Sequence, residues 1–296
     1  MTGASGFIGA NVVHALRARS HEVVEFSLEA GGDVTDTQLL EKRMREHRIE
    51  AVWHGAAITS GAEREKREAG RILEVNTLAT VRALEAAARA GVKRFVYPSS
   101  SAAYGSTAFE GEGPVEEHEP LRPFNLYGIS KAAAESAVLR LGPALGVEAC
   151  AGRITAVFGP WERDTGLRDT LSPHLQMAAM ARDGREAVLA RGADRDWVYA
   201  PDAAQAFVRM LEAPSLPAVA MNITQGKIWP LEIMARALPG LRWRYGEPTN
   251  LGYGGPIDRP RRCLSNRLIL ETLGWAPAYS PETACTDYVR RLPSRT

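Results

Sequence analysis

Hydrophobic positions in the first half of the chain alternate between short apolar runs and stretches with helical spacing. The short apolar runs predict strands at residues 23–26, 51–54 and 94–97. Stretches with apolar residues three and four positions apart predict helices at residues 11–16, 38–45, 69–90 and 127–141. Strands that alternate with helices form parallel sheets with both faces covered. The pattern therefore predicts an α/β fold with a doubly wound parallel sheet.

Beyond residue 152 this alternation is lost, and the chain becomes irregular and richer in proline and glycine. We predict a first domain at residues 1–152 and a smaller second lobe at residues 153–296. The two are expected to interleave around residues 196–212, because 206–211 has the apolar spacing of a core helix. Two more elements are predicted in this lobe, a loop at 256–262 and a short helix at 268–273 that ends at Gly274.

Composition narrows the kinds of partner that the protein can have. The 36 basic and 35 acidic residues are mixed along the chain, so they create no one-sided basic field for nucleic acid. The longest apolar stretches are too short to cross a bilayer. The three cysteines are scattered and odd in number, which indicates reduced thiols in a cytoplasmic protein. We expect a small-molecule substrate, with neither nucleic acid nor a membrane as partner. The six histidines lack metal-ligand spacing, so no metal is predicted.

A glycine-rich loop opens the chain, with glycines at positions 3, 6 and 9. This spacing allows a tight turn and close approach of a pyrophosphate, and the following helix offers free N–H groups to the phosphates. It predicts a Rossmann-type dinucleotide site formed by Gly3, Gly6, Phe7, Ile8 and Gly9. Such a loop should follow a strand, yet here the chain starts at the loop itself. We therefore hypothesise that the natural protein begins upstream of Met1 with a first, central strand.

The residues expected at the adenosine end of a cofactor favour NAD over NADP. The strand predicted at 23–26 ends at Ser27, where an acid would bind the ribose 2′-hydroxyl, and no arginine follows for a 2′-phosphate. Glu29 could reach the ribose from the loop, although a solvated side chain is the more common outcome. Asp33 and Val34 would suit the adenine amino group, with a turn aspartate that caps the next helix as the alternative.

A tyrosine and a lysine four residues apart, Tyr127 and Lys131, are the candidate proton-transfer pair. On a helix this spacing places both side chains on one face. A phenol with a pKa near ~10 is a poor base at neutral pH, but a nearby ammonium and a positive nicotinamide ring favour the phenolate. Tyr127 can then take a proton from an alcohol while hydride leaves for the cofactor. The competing interpretation is a surface helix on which the pair is incidental.

A run of three serines, Ser99, Ser100 and Ser101, follows the strand predicted at 94–97. Open α/β sheets bind ligands at the carboxyl ends of their strands, so a hydroxyl here can hold a substrate oxygen beside the tyrosine. A serine-rich turn without function is the alternative. The glycine loop, the serines and the Tyr/Lys pair occur in the order that one active site requires, which favours the functional interpretation.

Together these motifs resemble the epimerase/dehydratase family of extended short-chain dehydrogenases/reductases over essentially the whole chain. The matching segments are Thr2-Gly3-Ala4-Ser5-Gly6-Phe7-Ile8-Gly9, His54-Gly55-Ala56-Ala57, Val75-Asn76, Ser99-Ser100, Tyr127 to Lys131, Arg195-Asp196-Trp197 and Leu273-Gly274-Trp275.

The resemblance implies roles for individual residues. Ser100, four positions before Tyr104, would be the catalytic serine, and Lys131 would hold the nicotinamide ribose. The residues assigned to the cofactor groove are Gly55, Ala56, Ala57, Asn76, Ser99, Tyr127, Lys131 and Thr155. Ser101 and Asn125 are assigned to the substrate side. Family members usually pair through two helices, here at 76–90 and 127–141, so a homodimer is expected.

Departures from the family's patterns narrow the reaction. The 4,6-dehydratases carry an Asp-Glu pair just after the catalytic hydroxyl, where this chain has Ser101 and Ala102, so dehydration is disfavoured. The serine run is more similar to that of sugar-nucleotide 4-epimerases. Those enzymes usually place an asparagine where Ala156 stands, which removes a donor to the diphosphate. Arg195 offsets this loss, because the family's arginine here contacts a diphosphate. A structural salt bridge is its alternative role.

The segment at residues 159–170 is assigned to the substrate site by its position. Arg163 and Arg168 could bind an anionic group, and Trp161 could stack on a ring. An exposed polar loop is the alternative.

Three functions stay open at this point. The first is an NAD(P)-dependent sugar or sugar-nucleotide epimerase that recycles its cofactor. The second is a dehydrogenase or reductase of a small polyol, sugar acid or keto compound without a nucleotide, which Ala156 favours. The third is a non-catalytic dinucleotide-binding regulator, which the presence of Tyr127 and Lys131 in proper context disfavours. The serine run and Arg195 favour the epimerase.

Overall fold

Eight strands and ten α-helices make up the part of the chain that the computed structural model describes, residues 1–253 and 260–292. The strands are β1 (Ala51–Trp53), β2 (Arg94–Ser100), β3 (Glu148–Ile154), β4 (Ala156–Phe158), β5 (Glu186–Leu189), β6 (Trp197–Tyr199), β7 (Ala220–Ile223) and β8 (Arg242–Tyr245). The helices are α1 (Phe7–Arg17), α2 (Thr37–Glu46), α3 (Ala62–Leu73), α4 (Ala79–Arg89), α5 (Leu126–Ala144), α6 (Pro173–Arg182), α7 (Ala200–Glu212), α8 (Glu232–Ala237), α9 (Arg267–Leu273) and α10 (Pro281–Arg291).

A parallel sheet in the order β1-β2-β3-β7 forms the centre of the first domain. Its two inner strands are almost wholly buried, because α2, α4 and α5 contribute to the core on one face and α1, α7 and α9 to the core on the other. The strands β2 and β3 pair along seven residues, from Arg94 opposite Glu148 to Ser100 opposite Ile154. The predicted doubly wound α/β fold is confirmed, and the carboxyl end of β2 delivers the serine run to one edge of the sheet.

The first three residues lie between Phe26 and Trp53. The amide of Thr2 donates to the Trp53 carbonyl (3.1 Å), and that of Gly3 to the Phe26 carbonyl (3.0 Å). The strand predicted at 23–26 is wrong in extent, since only Phe26 forms a bridge, to Thr2. The amino group of Met1 donates to the Val24 carbonyl (2.6 Å), and the Phe26 amide donates to the Met1 carbonyl (2.8 Å). Burial lowers the pKa of that amino group to about 6.

The single helix predicted at 69–90 is also wrong, because the chain is helical from Ala62 but divided. Glu68 has non-helical backbone angles within α3, and a π-helical turn at Glu74–Leu78 separates α3 from α4. The predicted helices at 11–16, 38–45, 127–141, 206–211 and 268–273 are present within α1, α2, α5, α7 and α9. Gly274 ends α9 with φ +61°, as predicted.

A second core lies beyond β3, built around α6, α8 and α10. It includes the parallel pairs β4–β6 and β5–β8. Helix α7 packs instead with α1 against the central sheet, and the interleaving of the two lobes around residues 196–212 stays a prediction. The boundary at 152 stays a prediction, and residues 256–259 of the loop predicted at 256–262 lie outside the described residues. No helix in the described part combines the length and apolarity needed to span a membrane.

Candidate active site

The glycine loop forms a close-fitting backbone cradle at the start of α1. Gly3 has φ +62°, and a Cβ atom there would lie 2.6 Å from the carbonyl carbon of Gly55. A Cβ atom on Gly9 would lie 2.1 Å from the Gly3 oxygen. Gly6 caps α1 without a side-chain hydrogen bond, so the first-turn N–H groups face the loop side without a capping oxygen. These residues fit the pyrophosphate of a dinucleotide.

The predicted adenosine residues lie on two short turns. Ser27 is buried, and its hydroxyl accepts a hydrogen bond from the Ala30 amide (3.3 Å). Asp33 accepts from the amide and the hydroxyl of Thr35 (2.9 and 2.8 Å), which with Arg71 lowers the pKa of its carboxyl group. The N-cap of α2 is Asp36 and not Asp33. The Asp33 carboxylate is instead engaged by Thr35 in its own turn. Val34 belongs to a small buried cluster with Ile58.

The π turn fixes Asn76 between the cofactor groove and the catalytic helix. The Asn76 amide group donates to the Ile58 carbonyl (2.9 Å) and accepts from the Ile58 amide (2.8 Å). It also donates to the hydroxyl of Ser130 (3.0 Å), one residue before Lys131 on α5. Thr77 donates to the Ser130 carbonyl (3.2 Å). Because π turns recur at functional sites, the irregularity marks the place where two halves of the site are joined.

Tyr127 lies at the start of α5, with the side chains of Ser100 and Thr59 near its hydroxyl. Burial raises the pKa of this phenol from its ordinary value, whereas those two side chains and the charge of Arg168 act to lower it. The Ser100 hydroxyl also accepts from the Ala102 amide (3.1 Å), which fixes its orientation. The structure therefore brings together the serine and tyrosine that the sequence predicts, and adds Thr59 and Arg168 to their surroundings.

Lys131 is buried one turn further along α5, with its ammonium nitrogen 4.2 Å from the centre of the Tyr97 ring. Burial lowers the pKa of Lys131 to about 7, and the carboxylate of Glu135 acts in the opposite direction. The same ammonium helps burial to hold His54 neutral, with a pKa of about 3. Ser99, at the end of β2, has a buried hydroxyl with no hydrogen-bond partner among the described residues, which suits a polar group of a bound cofactor.

The depressed pKa of Lys131 predicts a pH-dependent effect on stability. Below pH 7 both folded and unfolded Lys131 are charged, and the folded protein bears the full cost of burying the ammonium. Above pH 7 only the unfolded state keeps the proton, so this cost declines as the pH approaches 10.5. Lys131→Met should therefore increase the free energy of unfolding of the cofactor-free protein, by on the order of a few kcal/mol at pH 6 and by less at pH 9. The increase is measured as a higher Tm. Lys93→Met, at an exposed position, is the control. A pH-independent difference between wild type and Lys131→Met would contradict the prediction.

A buried ion pair between Arg153 and Glu135 connects the central sheet to the catalytic helix α5. Both nitrogens on one edge of Arg153 in β3 contact the Glu135 carboxylate, at 2.6 Å for the shortest pair. The third nitrogen donates to the Tyr104 hydroxyl (2.8 Å), which in turn donates to Asn222 (2.8 Å). Because Glu135 lies one turn after Lys131, this network connects the central sheet to the catalytic face of α5.

Two neighbouring arginines, Arg195 and Arg261, lie on the predicted substrate side, and Arg261 reaches the serine run. Arg195 is buried, and burial together with the charge of Arg261 lowers its pKa to about 10. Arg261 reaches Ser101, with a guanidinium nitrogen 3.5 Å from both its carbonyl and its hydroxyl oxygen. Burial lowers the pKa of Arg261, and the carboxylate of Asp196 raises it. Sequence reasoning missed Arg261, because nothing in its local pattern shows that this distant segment returns to β2.

Two other predicted residues of this region have their side chains engaged. Asn125 caps α5 by accepting from the Gly128 amide (2.8 Å). Thr155 donates to the Asp196 carbonyl (2.7 Å). Both therefore shape the backbone around the site.

The segment at 159–170 lies across the glycine loop. Trp161 packs on the His14 ring of α1 at 5.1 Å, and a nitrogen of Arg163 lies 3.4 Å from the Ser5 carbonyl. Arg168 lies 5.3 Å from the centre of the Phe7 ring and pairs with buried Glu162 (2.9 Å). These three residues, predicted to bind substrate, thus lie against α1 and the glycine loop.

Comparisons with known proteins place this site in a family. Residues 1–224 match the model of the NAD dependent epimerase/dehydratase family, so the chain belongs to this family of NAD-dependent enzymes. It is 30% identical to a UDP-glucose 4-epimerase of Azospirillum brasilense, an alignment that covers 94% of this chain and 87% of the relative.

Solved structures show the same similarity. The UDP-glucose 4-epimerase of Thermus thermophilus in complex with NAD is 26% identical, with a TM-score of 0.80 over 98% of this chain and 97% of that one. MoeE5 in complex with UDP-glucuronic acid and NAD is 25% identical, with a TM-score of 0.79 over 98% of each chain. The predicted family and its cofactor, NAD, are thereby confirmed.

Proposed function

We propose that this enzyme is an NAD-dependent epimerase of a nucleotide sugar. The observation that carries the proposal is the pair Arg195 and Arg261: Arg195 is buried, Arg261 is partly buried and reaches Ser101, and Asp196 is the nearby carboxylate. Two arginines close enough for the charge of one to lower the pKa of the other suit an anion of more than one charge, such as a diphosphate. The UDP-glucose 4-epimerases and MoeE5 with its UDP-glucuronic acid support the same class of substrate.

In this proposal the side chains at the end of β2 and the start of α5 transfer the proton of the sugar hydroxyl group. Ser100 and Tyr127 hydrogen-bond the sugar hydroxyl that is oxidised, and Tyr127 takes its proton and later returns it. When bound in the cradle of Gly3, Gly6 and Gly9, NAD would supply the hydride acceptor for the sugar carbon and the hydride donor for its other face. The buried ammonium of Lys131 favours the phenolate of Tyr127, which is the form before the proton is taken from the sugar and after it has been returned. The two arginines hold the diphosphate and so keep the nucleotide fixed while the sugar presents its second face.

The alternative is a dehydrogenase or reductase of a small substrate without a nucleotide. Ala156 favours it, because its methyl group can donate no hydrogen bond to a diphosphate. The two reactions differ in cofactor balance. Net accumulation of NADH with a substrate would support the dehydrogenase, whereas an epimerase leaves the amounts of NAD and NADH unchanged after each turnover.

Binding of free nucleotide diphosphates tests the substrate class without requiring turnover. UDP, dTDP and GDP are titrated into the NAD-bound protein by calorimetry, and at least one should bind. Arg195→Met and Arg261→Met should each weaken that binding by about 10- to 100-fold, the worth of a hydrogen bond to a charged group. Arg244→Met, an exposed arginine of the same lobe paired with Glu186, should leave it unchanged. If no nucleotide diphosphate binds, the substrate class is wrong. If one binds and all three variants bind it alike, the assignment of Arg195 and Arg261 to the diphosphate is wrong.

We also propose that the enzyme is a cytoplasmic homodimer. The end of α3, the π turn and α5 expose apolar side chains on their outer faces, Leu73, Leu78 and Ile129, each 40% or more accessible. These residues lie in or next to the two helical regions through which family members are expected to pair. A cytoplasmic location agrees with the three cysteines, which form no disulfide. A monomeric mass in sedimentation would contradict the dimer.

A further inference from the structure

A neutral residue stands where the cofactor's adenosine ribose is expected to meet an acid. Ser27 directly follows Phe26, the only residue of that segment that pairs with the chain start in a bridge. It is 7% accessible, and its hydroxyl already accepts from the Ala30 amide. Glu29 follows two residues later on the short helical turn Leu28–Ala30, and its side chain is 57% accessible. Glu29 is 20 positions after Gly9, about the spacing at which the ribose acid of a dinucleotide fold occurs.

A cation from the second lobe is held against this glutamate. One nitrogen of Arg163 lies 2.6 and 2.9 Å from the two carboxylate oxygens of Glu29. The same nitrogen lies 3.4 Å from the carbonyl oxygen of Ser5 in the glycine loop. Glu29 is therefore placed beside the cradle that fits the pyrophosphate, although its neighbour in space is 134 positions away along the chain.

The contact belongs to a pocket of about 510 Å³ beside the glycine loop. Ser5, Glu29 and Arg163 line it, together with Trp161 and His14. The segment that carries Arg163 is fixed on α1 at two further points. Asn11 donates to the Pro160 carbonyl (3.0 Å), and the Trp161 ring packs on His14. Arg163 therefore comes from a segment that is anchored on α1, so its position beside Glu29 is set by more than one exposed ion pair.

We propose that Glu29 binds the adenosine ribose and that its pairing with Arg163 makes the enzyme select NAD over NADP. The Glu29 carboxylate accepts from the ribose 2′-hydroxyl and repels a 2′-phosphate. Arg163 alone would do the reverse, because a guanidinium is a strong phosphate ligand. In the native protein the carboxylate neutralises that guanidinium. The proposal rests on the family's use of NAD and not on the nucleotide-sugar substrate.

Glu29→Gln tests this by releasing the charge of Arg163. Dissociation constants of NADH and NADPH are measured on cofactor-free protein by fluorescence. NADH should bind about 10-fold more weakly and NADPH about 10-fold more tightly, each the worth of one charge-assisted hydrogen bond. In Glu29→Gln/Arg163→Gln the weakened NADH binding should remain and the gain for NADPH should disappear. If Glu29→Gln leaves the ratio of the two constants as in wild type, the proposal is overturned. It is equally overturned if the double variant keeps the NADPH gain.

A second pair on the wall of the same pocket provides the control. Arg17 and Glu25 form an ion pair at 2.7 Å, which is also exposed but makes no contact with the glycine loop among the described residues. Glu25→Gln should leave the ratio of the NADH and NADPH constants unchanged. Arg163→Gln examines the pair from the other side, because unneutralised Glu29 should weaken NADPH binding further while NADH binding persists. Equal effects of Glu25→Gln and Glu29→Gln would reduce Glu29 to a general surface charge and overturn the assignment.

Discussion

Replacing Tyr127 with phenylalanine should lower kcat by about 10²- to 10⁴-fold, the contribution expected of a positioned acid–base group. The substitution removes only the hydroxyl group, which lies near the side chains of Ser100 and Thr59. The ring keeps its position at the start of α5, so NADH affinity and Tm should stay close to wild type. The separation matters, because a structural role would change stability together with rate. The measurements are initial rates with the nucleotide sugar that binds, a fluorescence titration with NADH, and thermal unfolding.

Tyr199→Phe is the matched control for this substitution. Tyr199 is a buried tyrosine, and its hydroxyl donates to Asp287 (2.7 Å) in the core of the second lobe. Loss of that hydrogen bond should cost about 1 kcal/mol of stability and leave kcat unchanged. If Tyr127→Phe kept a rate similar to that of Tyr199→Phe, the proton would have to move through another group, and the role proposed for Tyr127 would be wrong.

Glu135→Gln should be the substitution that destabilises the enzyme most among those considered, by about 3–5 kcal/mol. The cost arises because Arg153 would stay charged and buried, with side-chain exposures of 7% for Arg153 and 2% for Glu135 in the intact pair. The amide can accept one of the hydrogen bonds that the carboxylate accepts, but it cannot neutralise the guanidinium. Chemical denaturation with urea measures the change. Activity should fall as well, since Glu135 lies one turn from Lys131 and raises its pKa.

A second ion pair of the same sheet shows whether burial causes the effect. Arg94 and Glu148 pair at 2.5 Å between β2 and β3, but the Glu148 side chain is 42% exposed. Glu148→Gln should therefore cost less than Glu135→Gln, because water already screens the half-exposed Glu148 carboxylate in the intact pair, and the Arg94 that is left behind still donates to the Leu211 carbonyl (2.7 Å). Equal costs for the two substitutions would contradict the argument from burial.

The parts of the site that depend on local spacing could be predicted from the sequence. Tyr127 and Lys131 share a helix face because four residues make about one turn, and the glycines at 3, 6 and 9 suit only a few backbone shapes. Within each of these two motifs the residues are only a few positions apart, so that no knowledge of the tertiary fold is required.

The parts that depend on distant contacts could not be predicted. Residues 69–90 have ordinary helical patterning, and the hydrogen bonds of Asn76 in the π turn go to Ile58 and Ser130, which lie far from it along the chain. Arg261 belongs to the site because it contacts Ser101, which lies 160 positions earlier in the chain. The strand predicted at 23–26 has the right composition, but a strand also needs a neighbour, and Met1 to Gly3 provide a bridge for Phe26 alone.

The π turn at Glu74–Leu78 has a buried face and an exposed face. Its inner face holds Asn76, which sets the distance between the Ile58 loop and the catalytic helix. Its outer face presents Leu78 to whatever lies outside the chain. A π turn contains one more residue than an α-helical turn, and such turns recur at functional sites. Residues of one short turn therefore contribute both to the surface of the molecule, through Leu78, and to the position of the helix that carries Tyr127 and Lys131, through the hydrogen bond between Asn76 and Ser130.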